Sequence, residues 1–524
     1  MDEKGCYMMA AGKGATADGS VLVARSCDAS GGDDVVQVLA VPRVKHELGE
    51  SLRIPGAEGV ELPQVSETYA YLGIMMVTEG ADLAEAEGGV NEHQVVAGTS
   101  TGGWLNPEAQ KICPRMSTSI GDYRMTLVLE RCSTAREGVE LVGALTDEYG
   151  ARTDNYIVAD PDEAWLYEEY RGNLWAAVRV PDDCFVLQAN SVRIDHVTFN
   201  DPASFMGSSN LVSFAEEHGL YDPDEGESFS PSKVYGAQTG KVRHGIPAPE
   251  YDRRRIWRGI SVLAPSTNPD PEEPTWTYPL FLRPDRKLIP RDFLGLFTDQ
   301  YQGTEYDHYG RNVDAYKPTV SPMVATDPSR SYRGSPFHIN EQRQYQLAPI
   351  WGTERIIGTP RSVTNWCAQL RGWMPNPVGA VLWAGIGEGA TAGRIPWYSG
   401  ITRTPEPFTI GTRPHRPVRD PGTYNIYDPR SAYWNFRIVT NLVNLFYTAT
   451  KDEVIPVWRE WEEANFRLQR AVERTALELH KEDPELALEF LTTYSCSKAV
   501  EALEMSKEMT VKLHSIISHY NAPL

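Results

Sequence analysis

A cysteine six residues from the start of the chain is the side chain best placed to act as a nucleophile. If the bond between Gly5 and Cys6 is cut, the new α-amine lies beside its own thiol. With a reference pKa of about 7.7–8.0, that amine can accept the thiol proton near neutral pH. The sequence therefore predicts processing at Gly5 and a nucleophilic Cys6. A cysteine that only fills space in a strand is the alternative.

Arg25 and Asp28 follow the next apolar stretch and would face back toward Cys6 if the chain forms a hairpin. The apolar run from Tyr7 is followed by the turn-rich segment GKGATADGS and then by VLVA, a pattern typical of two paired strands. A guanidinium beside a thiol favours the thiolate, and a carboxylate can hold an amine. An ion pair at a strand end is the alternative. Cys27, between them, has no base in its local sequence and is predicted to serve packing.

The composition excludes several classes of function. The chain has 524 residues, with 50 Lys and Arg against 71 Asp and Glu, giving a net charge of −21, which disfavours nucleic acid and anionic membranes as partners. No run of about 18 apolar residues occurs, and the start MDEKG lacks the apolar segment of a secretory signal. The expected compartment is the cytoplasm. Seven scattered cysteines without a CxxC pair predict neither a disulfide framework nor a metal site, and no cofactor is expected.

The pattern of apolar residues predicts antiparallel α+β packing, because hairpins and helices do not alternate as βαβ units. A helix is predicted over Ser133–Tyr149, with Gly150 as its stop. Residues 195–336 are rich in Pro, Gly, Asp and Arg and are predicted to form long loops. Residues 378–401 are predicted to be β-rich. The tail 431–518 is predicted to be helical, broken near Pro456, with a further helix opening at Pro484.

The amino-terminal segment CYMMAAGKGATADGSVLVARSCD resembles the signature of the C69 dipeptidase family, a group of N-terminal-nucleophile hydrolases related to bile salt hydrolases and penicillin V acylases. The matching residues within it are Cys6, Lys13, Ala15, Asp18, Gly19, Ser20, Arg25 and Asp28. Later segments agree as well, namely NEHQV from Asn91, DNYIVAD from Asp154, ANSVRI from Ala189, YDRRRIW from Tyr251 and VGAVLW from Val378. The resemblance spans roughly residues 6–410.

This resemblance implies roles for particular residues. Cys6 would attack the carbonyl carbon, with Arg25 and Asp28 ordering the thiol and its amine. Asn91 and Asn190 match two asparagines that complete the site in related acylases, and an amide donor aimed at an oxyanion is worth roughly 10²–10³ in rate. Taken alone, these asparagines would be assigned to a turn and a strand end.

A distal arginine of the same families matches Arg255 within the YDRRRIW segment. With Arg254 it would bind substrate, since a guanidinium can clamp the carboxylate of a dipeptide. The neighbouring Arg253 and Arg258 leave the register open. A solvated helical face is the alternative for this cluster.

The resemblance also implies the fold and the domain organisation. The expected architecture is a four-layer αββα sandwich of the N-terminal nucleophile hydrolase type. Residues 1–5 would be a propeptide, 6–430 the catalytic domain with its loop-rich insertion at 195–336, and 431–524 a helical region. Trp458, Trp461 and Phe466, at near-helical intervals in that region, favour core or subunit-interface packing. A homo-oligomer is implied by the resemblance alone.

The function that follows is a cysteine dipeptidase working through an acyl-enzyme on dipeptides or other small amides. Two alternatives stay open: an N-acyl amide hydrolase of the bile salt or penicillin V type, and a noncatalytic scaffold of the same fold. Tyr7 departs from the small polar residue that usually follows the nucleophile in the wider superfamily. A chain that is never processed would leave Cys6 with an amide in place of its amine.

Overall fold

The computed structural model describes most of the chain. The described residues are 5–28, 35–54, 57, 59–77, 85–102, 105–113, 120–121, 123–237, 241–243, 246–248, 250–306, 355–410 and 427–520.

A seven-stranded antiparallel sheet carries Cys6 on one of its central strands. The order across the sheet is β18-β14-β1-β2-β19-β20-β21. The bounds are β1 Gly5–Ala11, β2 Val21–Asp28, β14 Phe185–Gln188, β18 Phe281–Leu282, β19 Ser362–Leu370, β20 Val381–Ile386 and β21 Ile395–Tyr398. β1 is therefore flanked on both sides, by β2 and by β14, and its seven residues are all buried.

A second antiparallel sheet has eight strands in the order β15-β13-β12-β11-β10-β9-β8-β3. The bounds are β3 Val35–Val41, β8 Tyr71–Val77, β9 Glu85–Asn91, β10 Val96–Thr101, β11 Asp154–Ala159, β12 Ala164–Glu169, β13 Trp175–Arg179 and β15 Phe205–Gly207. Shorter two-stranded ladders pair β4 Val44–Lys45 with β7 Glu67–Thr68, β5 Ser51–Arg53 with β6 Glu61–Pro63, and β16 Lys241–Arg243 with β17 Ile246–Ala248.

The two large sheets pack face to face over a shared apolar core. Side chains alternate along a strand, so β10 sends Val96 into the core that also contains Met8 of β1, while Ala97 faces the opposite side of its sheet. Gly98 points the same way as Val96. A Cβ at Gly98 would lie 3.1 Å from the ring of Trp366 on β19 and 3.6 Å from Cδ of Arg25 on β2. The sheets therefore approach closely beside the strand that carries Cys6.

Helices pack against both sheets. Helices α2 and α3 pack on the second sheet through Val128, Val139 and Val142, and α9 and α11 pack on β20 and β21 of the first. The helix bounds are α1 Pro107–Ile112, α2 Tyr123–Arg131, α3 Ala135–Tyr149, α4 Leu211–Glu217, α5 Pro231–Val234, α6 Glu250–Leu263, α7 Pro290–Leu296, α8 Asn376–Gly379, α9 Ala432–Leu445, α10 Tyr447–Glu482 and α11 Pro484–Tyr520. In the described part of the chain no helix is both long and apolar enough to cross a membrane.

The observed elements confirm the α+β prediction and correct two details of it. The expected break near Pro456 is wrong, since α10 continues through it; Val454 and Trp458 on either side are both buried, and their packing compensates for the backbone hydrogen bond that proline cannot make. Within 195–336, α6 is a regular 14-residue helix, so loops alone do not describe this region. Residues 307–336 of that prediction lie outside the described residues. The helix start at Pro484 is confirmed.

The predicted helix after Ser133 is confirmed, and its first turn offers a stability test. The Thr134 hydroxyl accepts a hydrogen bond from the Glu137 N–H at 3.2 Å, and Gly150 ends the helix with φ of 80°. We expect Thr134→Ala to lower the free energy of unfolding by about 1 kcal/mol, because it removes this cap. Thr475→Ala, in the exposed middle of α10, should cause no loss. Urea denaturation of both variants measures the difference; equal midpoints would contradict the capping role.

Candidate active site

The main-chain groups of Cys6 point toward β14 and are held there by two side chains. The Cys6 N–H donates to Oδ1 of Asn190 at 3.1 Å, and its carbonyl oxygen accepts from Nη1 of Arg255 at 2.8 Å. On the opposite side, β2 places Cys27 directly across from Cys6 and Asp28 across from Gly5. Cys6 is 1% exposed. The predicted nucleophile thus sits at a fixed position inside the first sheet.

Arg25 contacts the Cys6 sulfur, as the sequence predicted, and the structure adds a carboxylate to the pair. Nη2 of Arg25 lies 3.6 Å from Sγ of Cys6 and forms a buried ion pair with Glu87 of β9. Nε donates to the carbonyl of Thr99 on β10. Glu87 was missed by the sequence reasoning, although a carboxylate in the glycine-rich strand EAEGGVN is an available signal. The second sheet therefore fixes the guanidinium that faces the thiol.

The surroundings of Cys6 and Cys27 favour a proton on Cys27 and a thiolate at Cys6. The pKa of the Cys6 thiol is lowered from its ordinary value because the Cys27 thiol beside it can donate a hydrogen bond to the thiolate; burial opposes this, and the charge of Arg25 supports it. The pKa of Cys27 is raised well above its ordinary value by that same pairing and by burial. Sγ of Cys27 also lies 3.8 Å from Oε2 of Glu87.

Asn190 reaches Cys6 because the chain turns sharply at the end of β14. Its φ of 62° lies in the left-handed region, which asparagine tolerates better than most residues. Besides Cys6, its Oδ1 accepts from Nη2 of Arg255 at 3.0 Å, and its Nδ2 donates to the carbonyl of Thr101 at 2.6 Å. A second amide hydrogen makes no further bond to any described residue, which leaves it able to bind an oxyanion.

Among the arginines of α6, Arg255 is the one at Cys6. It is 1% exposed and also donates to the Ala189 carbonyl at 2.8 Å. Arg254, which the sequence assigned to substrate binding, instead pairs with Glu272 at 2.7 Å and lies over the ring of Tyr306. Arg253 pairs with Glu272 as well.

Tyr7, which follows the predicted nucleophile, also packs against this helix. Its hydroxyl donates to the carbonyl oxygen of Arg255 at 3.1 Å. A Cβ at Gly259, one turn further along α6, would clash with that hydroxyl and with Leu187. Glycine at this position therefore lets α6 approach β1 closely enough for Arg255 to reach Cys6.

Replacing Arg255 by lysine tests whether activity depends on the forked shape of the guanidinium or only on its positive charge. Arg255→Lys keeps one positive charge but cannot hold Cys6, Ala189 and Asn190 at once. Losing about 3 kcal/mol of charge-assisted hydrogen bonding would lower kcat/KM about 10²-fold. Arg254→Lys on the same helix should stay close to the parental rate. Steady-state kinetics on purified variants compares them; equal rates for the two variants would show that the fork is dispensable.

Asp28, opposite Gly5 in the β1–β2 ladder, keeps one carboxylate oxygen without a hydrogen-bond partner in the described residues. Its Oδ2 accepts from Nη2 of Arg355 at 2.6 Å, while its Oδ1 is buried and has no hydrogen-bond partner in the described residues. Arg355 was not identified from the sequence, since nothing in its local pattern points to the site. The carboxylate is therefore held in place by one cation and can accept another hydrogen bond.

The side chain of Asn91 makes its hydrogen bonds to groups other than Cys6. Its Nδ2 donates both hydrogens, to the carbonyls of Leu129 at 3.0 Å and Cys132 at 2.8 Å. Its Oδ1 accepts from the N–H groups of His93 and Val95. This arrangement closes the β9–β10 turn and the end of α2. With both amide hydrogens used, Asn91 has none left to donate to an oxyanion.

Comparisons with known proteins place the chain in one family. The model of peptidase family C69 matches residues 5–460. A probable dipeptidase of Latilactobacillus sakei is 26% identical over 451 residues, covering 85% of this chain and 82% of the relative. Dipeptidase A of Lactobacillus helveticus is 26% identical, with coverage of 78% and 77%, and a probable dipeptidase of Salmonella dublin is 29% identical, with coverage of 67% and 77%.

A search of solved structures found a mutant conjugated bile acid hydrolase from Clostridium perfringens. It is 12% identical, covers 73% of this chain and 89% of that protein, and has a TM-score of 0.26, a similarity too low to support a structural argument. The match to the family model, by contrast, extends over residues 5–460 and includes the site around Cys6. This chain is a peptidase and belongs to peptidase family C69.

Proposed function

We propose that this chain is a cysteine dipeptidase whose nucleophile is Cys6 after removal of Met1–Gly5. One observation supports this most directly: the two functional atoms of Cys6 have separate partners. The sulfur lies beside Arg25 at 3.6 Å, and the nitrogen lies beside Asn190 at 3.1 Å. A residue that uses its own amine as base needs both atoms positioned.

Processing would remove Gly5 from the start of β1 and convert the Cys6 amide into an amine. That amine would keep its hydrogen bond to Asn190 and gain a second one to Oδ1 of Asp28, the residue opposite Gly5 in the β1–β2 ladder. In the proposed reaction the thiol proton moves to this amine and the thiolate attacks the peptide carbonyl. The amine then gives the proton to the leaving group. Water releases the acyl group from sulfur in the second half-reaction.

The remaining amide hydrogen of Asn190 is the proposed donor to the tetrahedral oxyanion. It belongs to a side chain fixed by Cys6, Arg255 and Thr101, and a donor held in advance stabilises the transition state without reorganisation. We further propose that the two sheets and their covering helices form the αββα architecture of N-terminal-nucleophile hydrolases, with residues 6–430 as catalytic domain and 431–524 as a helical region.

Dipeptides are the proposed substrates because several relatives are named as dipeptidases. Each of these relatives matches this chain over three quarters or more of its own length. A panel of free dipeptides, their N-acetylated forms and matching tripeptides tests this on the purified protein. We expect cleavage of the free dipeptides at the highest kcat/KM. Faster cleavage of the N-acylated compounds would instead indicate an amide hydrolase of the bile salt or penicillin V type.

The pH dependence of Cys6 alkylation tests the pairing with Cys27. Because the Cys27 thiol lowers the pKa of Cys6, its loss in Cys27→Ala should raise that pKa, so the alkylation rate should begin to rise only at a higher pH. Cys27→Ser keeps a donor and should shift less. Iodoacetamide labelling followed by mass spectrometry measures the profile, with Cys132→Ala as the control variant. A profile that stays in place in Cys27→Ala would contradict the interaction.

A further inference from the structure

We propose that Cys27 is a resolving thiol for Cys6, so that a hydroperoxide converts the pair into a reversible Cys6–Cys27 disulfide. The structure has both cysteines as free thiols. The proposal goes beyond peptide hydrolysis, because it assigns a modification site to a cysteine for which the reaction above requires no covalent step. Its main readout, the mass of the protein, does not depend on turnover.

The first argument is the register of the two strands. Cys6 and Cys27 are direct partners in the antiparallel β1–β2 ladder. The N–H and C=O of Cys6 are directed to Asn190 and Arg255 on the β14 side, so the pair with Cys27 is of the non-hydrogen-bonded kind, in which Cα atoms are about 4.5 Å apart. Disulfides form at Cα separations of about 4.4–6.8 Å. The register therefore puts the two Cα atoms at a separation that a disulfide can span.

The second argument is that the two thiols face the same buried cluster. Arg25 contacts Sγ of Cys6, and Glu87 lies beside both Arg25 and Sγ of Cys27. Elsewhere in the described strand ladders no two cysteines are paired; Cys367, on the next strand but one, lies opposite Ala24 and Trp383. Any oxidation product of Cys6 therefore has Cys27 as its adjacent thiol.

The chemistry balances in two steps. The Cys6 thiolate attacks one oxygen of the hydroperoxide, forming a sulfenic acid and releasing an alkoxide or hydroxide, which takes up a proton. The Cys27 sulfur then attacks the sulfenic sulfur, and the hydroxyl group leaves as water with the Cys27 proton. In total, two thiols lose two electrons and two protons, and the hydroperoxide is reduced. A dithiol reductant reverses the product by exchange.

The charges of the cluster suit both steps. Arg25 beside Cys6 favours the thiolate that reacts with peroxide. Glu87, at 3.8 Å, can accept the Cys27 proton in the second step. Conversion of Cys6 to a sulfenic acid also removes the thiolate that keeps the pKa of Cys27 high. Cys6 is 1% exposed, so a hydroperoxide would have to reach it by the route that the larger dipeptide takes, and in this respect the inference rests on the proposed function.

The disulfide would occupy the nucleophile and stop peptide hydrolysis until it is reduced. It would also keep Cys6 from the sulfinic and sulfonic acids, which thiol reductants do not reverse. Where Cys27 is absent, the same exposure to peroxide should cause permanent loss of the nucleophile.

The test is treatment of the folded, purified protein with hydrogen peroxide, followed by intact mass and non-reducing peptide mapping. We expect the parent to lose the mass of two hydrogen atoms, to yield a Cys6–Cys27 linked peptide and to recover its original mass with dithiothreitol. Cys27→Ala should instead gain oxygen atoms on Cys6 that dithiothreitol does not remove, and Cys27→Ser should behave in the same way. Cys367→Ala, which removes a buried cysteine of the same sheet, should behave like the parent.

Gain of two or three oxygens on Cys6 of the parent, with Cys27 still a free thiol, would overturn the proposal. So would a linked peptide that forms equally well in guanidinium chloride, because the register would then play no part. A protein that lacks dipeptidase activity but forms the linked peptide would refute the proposed function and leave this inference standing. Full peptidase activity in a protein with the disulfide intact would show that the bond does not block the site.

Discussion

Replacing Cys6 by alanine is expected to lower the peptidase rate by at least about 10⁴-fold, since loss of a hydrolase nucleophile leaves only binding and electrostatic effects. The same variant should keep Met1–Gly5, because the thiol proposed for peptide cleavage is also the nearest nucleophile to the Gly5–Cys6 bond. Kinetics with a dipeptide substrate and intact mass measure the two effects on one preparation. The fold should be retained, because replacing cysteine by alanine removes only one sulfur atom.

Cys367→Ala is the matched control for this experiment. Cys367 is another buried cysteine of the same sheet, two strands away from Cys6, and its replacement should leave both the mass of the mature chain and the rate near the parental values. Parental activity in Cys6→Ala would refute the proposed nucleophile. Full-length mass in a fully active parent would refute the amine mechanism while retaining a thiol nucleophile.

Arg25→Met is expected to have the second largest effect, on both stability and rate. Glu87 would stay buried without its guanidinium partner, and breaking a buried ion pair on one side costs about 3–5 kcal/mol. The Cys6 thiolate would lose its neighbouring cation as well, so kcat/KM should fall by about 10³-fold or more. Urea denaturation and dipeptide kinetics measure the two effects. Arg53→Met, at an exposed pair with Glu61, should change little.

The double variant Arg25→Met/Glu87→Gln separates the two roles of Arg25. Removing both charges leaves no buried carboxylate that has lost its guanidinium, so most of the lost stability should return. The rate should stay low, because the thiolate still has no cation beside it. Recovery of the rate together with stability would show that Arg25 acts only through folding.

The sequence allowed the local parts of this structure to be predicted, because their signals lie within a few residues of one another. The hairpin of β1 and β2 follows from two apolar runs around a turn-rich segment, and α3 follows from Thr134, helical periodicity and Gly150. The β1–β2 hairpin alone is enough to predict that Arg25 lies near Cys6.

The rest of the site depends on contacts between distant segments. Arg255 and Asn190 could be named only through the family resemblance, and the choice between Arg254 and Arg255 required the orientation of α6 against β1. Asn91 ends β9, and both hydrogens of its side-chain amide are used in bonds to the end of α2; the spacing of residues in the sequence does not reveal these bonds. Glu87 and Arg355 are brought in by the stacking of sheets and by a segment hundreds of residues away.

The central position of β1 has a consequence for the mature chain. The ends of most polypeptides fray because few contacts hold them. Here the new terminus would begin inside a sheet, with a strand on either side, and its first carbonyl oxygen would accept a hydrogen bond from Arg255. It would therefore be among the most ordered points of the molecule. Any residue left in front of Cys6 would keep its nitrogen as an amide, so an amino-terminal purification tag is compatible with the proposed mechanism only if processing removes it.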